Sequence, residues 1–430
     1  MKKLKSWVIA LLFAIGSAFS VDVAHGQAAG SPDTTFGAGG IVTTTFSGQT
    51  VTPIGAVEQS NGDIVVISQF DFQNDAGTGV GVTRYTSAGK LDASFGTKGS
   101  TFTTFPNIIF QALWFGVQSN GAIVVAGGTA PAGTAIGANQ GFGLTRFTAN
   151  GALDTTFGTG GLVNTPIGPR QDVPTAFLLQ PNGQIVMGGL EDGNGERPTN
   201  PDDIPEMLSI ARYNSNGSLD TTFGTGGVSL LNIAATVPGP SQIALLANGD
   251  YLALGATFGA ITTVEISAAG ALKPSLSGAA LVASSASAQS GLESELLFES
   301  NGDILTASGG NLNRSSANTV ERFTLAGTLD PAFTTTAFQF EGQRRSAPDT
   351  IAFQSNGQIL VGVEVNETTA FTGGIARLDA TGGLDTEFGT GGQVPTQNPV
   401  TGLLIQTDGK IVAIESVSND GISLARYLPN

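Results

Sequence analysis

The chain has 430 residues and a formal net charge of −16, with 18 basic residues against 34 acidic ones. It has no Cys and a single His, His25, so disulfides, thiol chemistry and clustered His ligands are excluded as organising principles. The sparse basic charge argues against a nucleic-acid partner, because phosphate binding needs a basic footprint.

The first segment reads as a secretory signal. Lys2, Lys3 and Lys5 precede an apolar run from Trp7 to Phe19, and Ala24, Gly26 and Ala28 offer small residues for cleavage. The expected leader is residues 1–26, with cleavage between 20 and 28. The run is shorter than the ~20 residues of a comfortable membrane span, and no other stretch approaches one. Removing residues 1–26 takes three Lys and Asp22 from the chain, leaving 15 basic residues against 33 acidic. An exported protein, secreted, periplasmic or on the surface of a bacterium, is the expectation.

From Gly30 onward three elements recur in fixed order, and such self-similarity outranks other signals. The first is an apolar stretch ending in a hairpin signal, as in Ala56 to Val66 around Asn61-Gly62. It returns at Asn120-Gly121, Asn182-Gly183, Asn248-Gly249, Asn301-Gly302, Asn356-Gly357 and Asp408-Gly409. Such dipeptides favour two-residue turns with positive φ, which match strand twist. The second element is a strand carrying Arg and then an aromatic residue or Leu, as in Arg84-Tyr85. The third is a corner reading Leu-Asp-x-x-Phe-Gly, as in Leu91 to Gly96, followed by a Gly-rich step into a Thr/Val strand. Each unit therefore offers four short strands, A to D. Asn-Gly joins A to B, and the Leu-Asp-Phe-Gly corner joins C to D.

An acid follows the strand-C Arg at a spacing of eight. The pairs are Arg84 and Asp92, Arg146 and Asp154, Arg212 and Asp220, Arg322 and Asp330, and Arg377 and Asp385. In the fourth unit both signs reverse, to Glu265 and Lys273. Arg426 runs out of chain, but splicing Asn430 to Gly30 places Asp33 eight positions on. The sequence is thus a ring of seven repeats cut open inside one turn. It predicts an all-β fold over 30–430: a seven-bladed β-propeller of four-stranded antiparallel blades. The last blade is shared by 41–46 and 400–427, so that pairing of the N- and C-terminal segments closes the ring.

These Q-x-N-G-x-I-V and R-[YF]-x(4–5)-G-x-L-D-x-x-F-G patterns resemble the bacterial delta-60 repeat, a DUF5122-like β-propeller family, across the mature chain. The resemblance implies fold and export and brings no established reaction. The fourth corner departs from it with Leu276 where Phe belongs, and the fifth keeps Phe333 without the following Gly.

A feature repeated around a ring is architectural, and the paired swap at Glu265 and Lys273 marks contacting partners. The expectation is that each strand-C Arg holds the Asp of the following corner through two hydrogen bonds, with the Phe packed beneath that Asp. A ring of Gln59, Gln118, Gln180, Glu299, Gln354 and Gln406 near the A–B turns is expected to line or abut the central channel, bonding between blades.

Length variation is confined to the B–C and D–A loops, which lie on the opposite face, where function is expected. Arg170, Arg197, Arg314, Arg344 and Arg345 map to these loops and are the ligand-binding candidates. The loop from Leu190 to Met207 carries Asp192, Asn194 and Glu196 on alternate residues, and then Asp202. These are candidate calcium ligands, although the distant bidentate Glu is missing and a solvated acidic loop is the alternative. Asp71 and Asp75 of the first unit read the same way. No catalytic residue and no cofactor beyond that Ca²⁺ is singled out.

The leading functional reading is a monomeric, non-enzymatic scaffold that binds a protein or glycan. The alternative is a carboxylate-dependent hydrolase or lyase acting on extracellular polysaccharide.

Overall fold

A computed structural model describes residues 28–72, 78–134, 141–167, 171–192, 207–232, 242–257, 260–273, 280–281, 294–299, 302–309, 317–324, 328–340, 346–366, 371–417 and 421–429. Among these residues the strands form seven four-stranded antiparallel sheets. The first blade shows the pattern. Strand A (Gln49–Glu58) pairs with B (Ile64–Phe72), B with C (Thr78–Tyr85), and C with D (Ser100–Thr103). The A strands of successive blades neighbour one another around the ring, and the last meets the first. Among the described residues no helix is long and apolar enough to cross a membrane.

The B and C strands read as continuous apolar runs because each sheet is covered on both faces. Ile64, Val65, Val66 and Ile67 are all fully buried, although consecutive residues of a strand point to opposite faces. The cores lie between blades. One joins Val65, Ile67, Val82 and Phe95 to Phe110, Ile123 and Phe147 of the next sheet. Another joins Ile414 and Leu424 of the last blade to Val66 and Tyr85 of the first. Fully burying one such side chain contributes about 1.5–3 kcal/mol, so blade-to-blade contact is the main source of stability.

The A–B connection differs from the two-residue turn that Asn-Gly suggests. The Gly62 amide donates to Gln59 O at 2.8 Å, and the Gln59 amide donates to Asp63 O at 2.8 Å. Only Gly62 has positive φ, at 82°, and among the described residues no Asn of these turns is left-handed. This is a three-residue loop, a type I turn closed by a glycine bulge. The Asn side chain makes the difference. Asn61 Oδ1 accepts the Asp63 amide at 3.1 Å, and Asn120, Asn182, Asn248, Asn356 and Asp408 accept in the same way.

In the seventh blade, A (Val400–Ile405), B (Ile411–Ser416) and C (Gly421–Tyr427) are joined by Ile41–Thr45 as strand D. The register runs from Ile41 opposite Ala425 to Thr45 opposite Gly421. The Asp33 amide donates to Arg426 O at 2.8 Å, and the Gly30 amide to Leu428 O at 2.9 Å. Asp33 and Arg426 meet with Nε–Oδ2 and Nη2–Oδ2 distances of 2.9 Å, at side-chain exposures of 4% and 5%. Removing one partner of a buried pair costs roughly 3–5 kcal/mol. Asp33→Ala and Arg426→Ala should each destabilise the protein on that scale and couple in a double-mutant cycle of denaturant unfolding. Additive losses would show that the pair does not hold the ring closed.

Candidate functional site

On the face of the A–B and C–D turns, every strand-C Arg serves two blades. Arg84 Nε donates to Asp92 Oδ2 at 2.8 Å, and Nη2 lies 2.7 Å from the same oxygen. Asp92 Oδ1 accepts the Ser94 amide and hydroxyl, so both carboxylate oxygens are engaged. Arg146–Asp154, Arg322–Asp330 and Arg377–Asp385 repeat the Nε–Oδ2 contact at 2.8 Å, and Arg212–Asp220 repeats it at 2.9 Å. The remaining nitrogen crosses to the next blade. Arg146 Nη1 donates to Ser215 O at 2.7 Å, Arg212 Nη1 to Ala268 O at 2.7 Å, and Arg426 Nη1 to Ser87 O at 2.6 Å.

The corner Phe lies under the Arg instead of under the Asp. Guanidinium carbons stand 4.4–4.8 Å from the ring centroids of Phe36, Phe95, Phe157, Phe223, Phe333 and Phe388. The negative ring face attracts the cation and has nothing to offer a carboxylate. The far side of each ring presses on the next blade. A Cβ on Gly151, whose φ is +80°, would stand 2.5 Å from the Phe95 ring. Gly30 meets Phe388 in the same way at the closure.

The glutamines belong to this seam and bond between blades. Gln118, Gln180, Gln354 and Gln406 are 5–7% exposed. Gln118 Nε2 donates to Gly183 O and Ser215 O of the next blade, while its Oε1 accepts Arg146 Nη1 at 3.0 Å.

In the fourth blade Lys273 Nζ lies 3.2 Å from Glu265 Oε1 and bonds Asp250 more closely. The corner keeps its backbone bond, from the Lys273 amide to Glu265 O at 2.9 Å. Glu265 has no proton to donate when ionised, so it cannot donate the crossing bond that each Arg makes to a carbonyl of the next blade.

On the opposite face, the candidate cations Arg170, Arg197, Arg314, Arg344 and Arg345 lie outside the described residues. So do Asp75 and the leader at 1–26. Asp192 ends a strand (Ile185–Asp192), and the rest of the calcium motif, Asn194, Glu196 and Asp202, lies outside as well. Asp71 accepts the Thr78 hydroxyl within its own sheet.

Two carboxyl groups not singled out by the sequence stand near this face. Glu415, in the last blade's B strand, is 2% exposed and accepts Asn398 Nδ2 at 2.9 Å and Ser423 Oγ at 3.3 Å. Asp172, in the third blade's A strand, is fully buried and accepts the Ile167 amide at 2.7 Å. Aligning the repeats on their Asn-Gly turns would have exposed Glu415, whose column otherwise holds Ser68, Gly127, Gly189, Gly255, Ser308 and Val363.

Burial pushes the Glu415 carboxyl above its ordinary range, against the pull of Asn398 and Ser423. Burial, followed by the Glu415 charge, also raises the nearby Tyr427 phenol. The corner acids move the other way. The Ser94 hydroxyl and amide, opposed by burial and aided by Arg84, hold Asp92 low; Thr156 and Thr222 lead the same effect at Asp154 and Asp220. At Asp33 burial is the largest influence and raises the carboxyl, but Thr35, Arg426 and Lys410 together outweigh it and the net shift is down.

A lowered folded pKa gives stability that is complete above the unfolded value and lost as pH falls through the folded one. A raised folded pKa gives the reverse: folding favours the protonated acid, and stability falls as pH rises through the folded value. Glu415→Gln should therefore raise the melting temperature at neutral pH and match the parent below about pH 4, near the unfolded glutamate value. A constant difference across the pH range would exclude a buried titrating Glu415. The corner acids should in turn make the protein lose stability steeply below the ordinary carboxylate range.

The family profile described as a domain of unknown function (DUF5122) beta-propeller matches residues 59–95, 118–157, 208–223 and 354–388. These segments run through A–B turns, strands C and Leu-Asp-Phe corners. No curated protein matches the sequence. Among solved structures, a catalytically inactive virginiamycin B lyase from Staphylococcus aureus with quinupristin is 13% identical, with a TM-score of 0.47, covering 90% of this chain and 99% of that one. A putative gluconolactonase is 11% identical with a TM-score of 0.37, covering 94% and 99%. A Trichoderma reesei carbohydrate-active enzyme of family AA12 is 13% identical with a TM-score of 0.36, covering 89% and 96%. These likenesses carry nothing about activity. The Arg-Asp-Phe corners and the seven sheets make this chain a seven-bladed β-propeller, and the matched segments make its repeats similar to those of the DUF5122 β-propeller family.

Proposed function

We propose that the protein is an exported, non-enzymatic β-propeller that binds a protein or a glycan through its B–C and D–A loop face. The observation that carries this reading is the engagement of the polar groups on the corner face. On the corner face the arginines, aspartates and glutamines bond one another and the next blade, which leaves them committed to holding the ring together. In the sequence, departures from the repeat, including the five arginines outside the Arg-Asp pairs, fall in the segments that join B to C and D to A. The basic, apolar and small-residue regions of segment 1–26 support export. A chain with no Cys and one His has few groups suited to general-base or thiol catalysis, which supports binding over turnover.

The polysaccharide hydrolase or lyase remains the second reading because Glu415, a buried acid with a raised pKa, has the tuning of a general acid.

A binding screen of the full chain against cell-envelope fractions and a polysaccharide panel tests the proposal. Arg197→Ala and the double variant Arg344→Ala/Arg345→Ala should weaken capture by about tenfold, the scale of one lost charged contact. Lys90→Ala and Lys98→Ala, on the corner face, should leave it unchanged. The reverse pattern would place the binding surface on the corner face. Release of reducing ends from a polysaccharide, abolished by Glu415→Gln, would move the assignment to the enzyme.

A further inference from the structure

The second blade opens a depression of about 210 Å³ at the loop face, lined by Asn107, Ile108, Thr129, Ala130, Pro131, Asn164 and Pro166. It lies where strand A (Ile108–Val117) begins and strand B (Ile123–Pro131) and strand D (Leu162–Thr165) end. Its lining differs from that of the first blade. In the first blade the two positions that flank the C strand here are Phe70 and Phe102, paired edge to face at 5.1 Å. The same positions hold Glu191 and Leu230 in the third blade, Thr257 and Ala280 in the fourth, Val365 and Pro395 in the sixth, and Val417 and Thr43 in the seventh. In the second they are Thr129 and Asn164, so where the first blade has an aromatic plug and the sixth an apolar pair, this blade has two polar side chains and space opens.

The polar groups are organised. Thr129 is 2% exposed, and its hydroxyl donates to Asn164 Oδ1 at 2.7 Å, with Gly141 O at 3.2 Å. Gly141 makes room for that bond, since a Cβ there would stand 2.9 Å from Asn164 Oδ1 and 3.1 Å from Thr129 Oγ1. Asn164 is thereby fixed by its oxygen, and its Nδ2 donors have no partner among the described residues. Asn107 holds φ at 61°, an uncommon conformation for a residue other than glycine, and its carbonyl accepts the Ala132 amide at 3.0 Å. Its side-chain amide is also without a partner among the described residues.

No lining residue is charged, in a chain that carries a net charge of −16. A site without charge gives no electrostatic reason to select an ionic ligand. Four apolar residues, Ile108, Ala130, Pro131 and Pro166, share the wall with two outward amides. That combination matches a ring with C–H faces and hydroxyl edges. The volume lies below the ~300–1,000 Å³ of a pocket for a drug-sized ligand, which limits the occupant to about one ring.

The geometry points to a subsite for one uncharged pyranose residue of a glycan, held by Asn107 and Asn164 amides over the Pro131 and Pro166 rings. This rests on the reading of the loop face as a binding face and selects the glycan from its two partner classes.

The probes are methyl glycosides of glucose, galactose, mannose and N-acetylglucosamine, with cello- and chito-oligosaccharides, titrated into the full chain by saturation-transfer NMR and calorimetry. At least one should bind with a Kd in roughly the millimolar range, as expected for a single small subsite. Asn164→Ala should weaken it by about tenfold, and Asn107→Ala by a smaller factor. Thr129→Phe/Asn164→Phe, which rebuilds the first blade's plug, should abolish it. Asn107→Ala removes no side-chain hydrogen bond among the described residues, so it keeps the test valid should the plugged variant fold poorly. Saccharide binding that survives all three variants overturns the subsite and leaves the loop-face reading intact. Absence of binding by any probe also overturns it, and the loop-face reading then stands or falls on capture of an envelope protein by the same chain. Selective binding of a peptide to this depression would assign it to the other partner class and overturn the saccharide.

Discussion

A guanidinium with partners in two blades is the contact on which the architecture depends. Each strand-C Arg satisfies the acid of its own corner, accepts an aromatic ring beneath it, and gives its last nitrogen to a carbonyl of the next blade. A cation enclosed this deeply is tolerable only when its donors are matched, because an unpaired buried charge is far costlier than an unpaired exposed one. The corner Asp meets the same requirement from the other side, with one oxygen for the Arg and the other for a local hydroxyl and amide. The motif therefore fixes both the fold of one corner and the angle at which the next sheet arrives.

That logic explains why the cut in the ring falls where it does without cost to the seam. Asp33 and Arg426 stand 393 residues apart in sequence, yet their contact reproduces the local pairs of the other blades. Gly30 against Phe388 and Phe36 beneath Arg426 complete the same set. The fourth blade is the instructive exception. Exchanging the signs of Glu265 and Lys273 preserves the corner, with Asp250 recruited as a second acid, but moves the cation out of strand C. Among the described residues, Lys273 then bonds acids of its own blade. An ion pair can be inverted in place, whereas a contact that also reaches across a seam cannot.

The repeat made most of this legible in the sequence. The spacing of eight between Arg and Asp, together with the Asp33 splice, gave blade number and closure, because these contacts are short-range within a corner and recur. Two details were not legible. Asn-Gly fits either a two-residue turn or a type I turn with a glycine bulge, and the choice depends on the Asn side chain accepting an amide two residues on. The Phe was placed under the Asp, since sequence order shows proximity and not which charge an aromatic face prefers. Thr129, Asn164 and Glu415 were invisible for a different reason. They lack any motif; Glu415 stands out when equivalent positions of all blades are read as a column, and Thr129 with Asn164 only when two columns are read together. The loop candidates, such as Arg197 and Asp202, had no repeat to constrain them at all.

The two faces differ because their tolerances differ. On the corner side a turn glycine of one blade sits against a ring of its neighbour with no space for a methyl group, and the corner carbonyl is already a hydrogen-bond acceptor. A change there is felt by two sheets at once. At the other end the B and C strands only have to complete their backbone ladder before the chain leaves the sheet. Glu415 and the Thr129–Asn164 pair both occur at that end, one as an acid enclosed in a seam and the other as a polar pair at an opened pocket. A closed ring of near-identical sheets thus concentrates chemical individuality at a single face, because the opposite face is where each blade must fit the next.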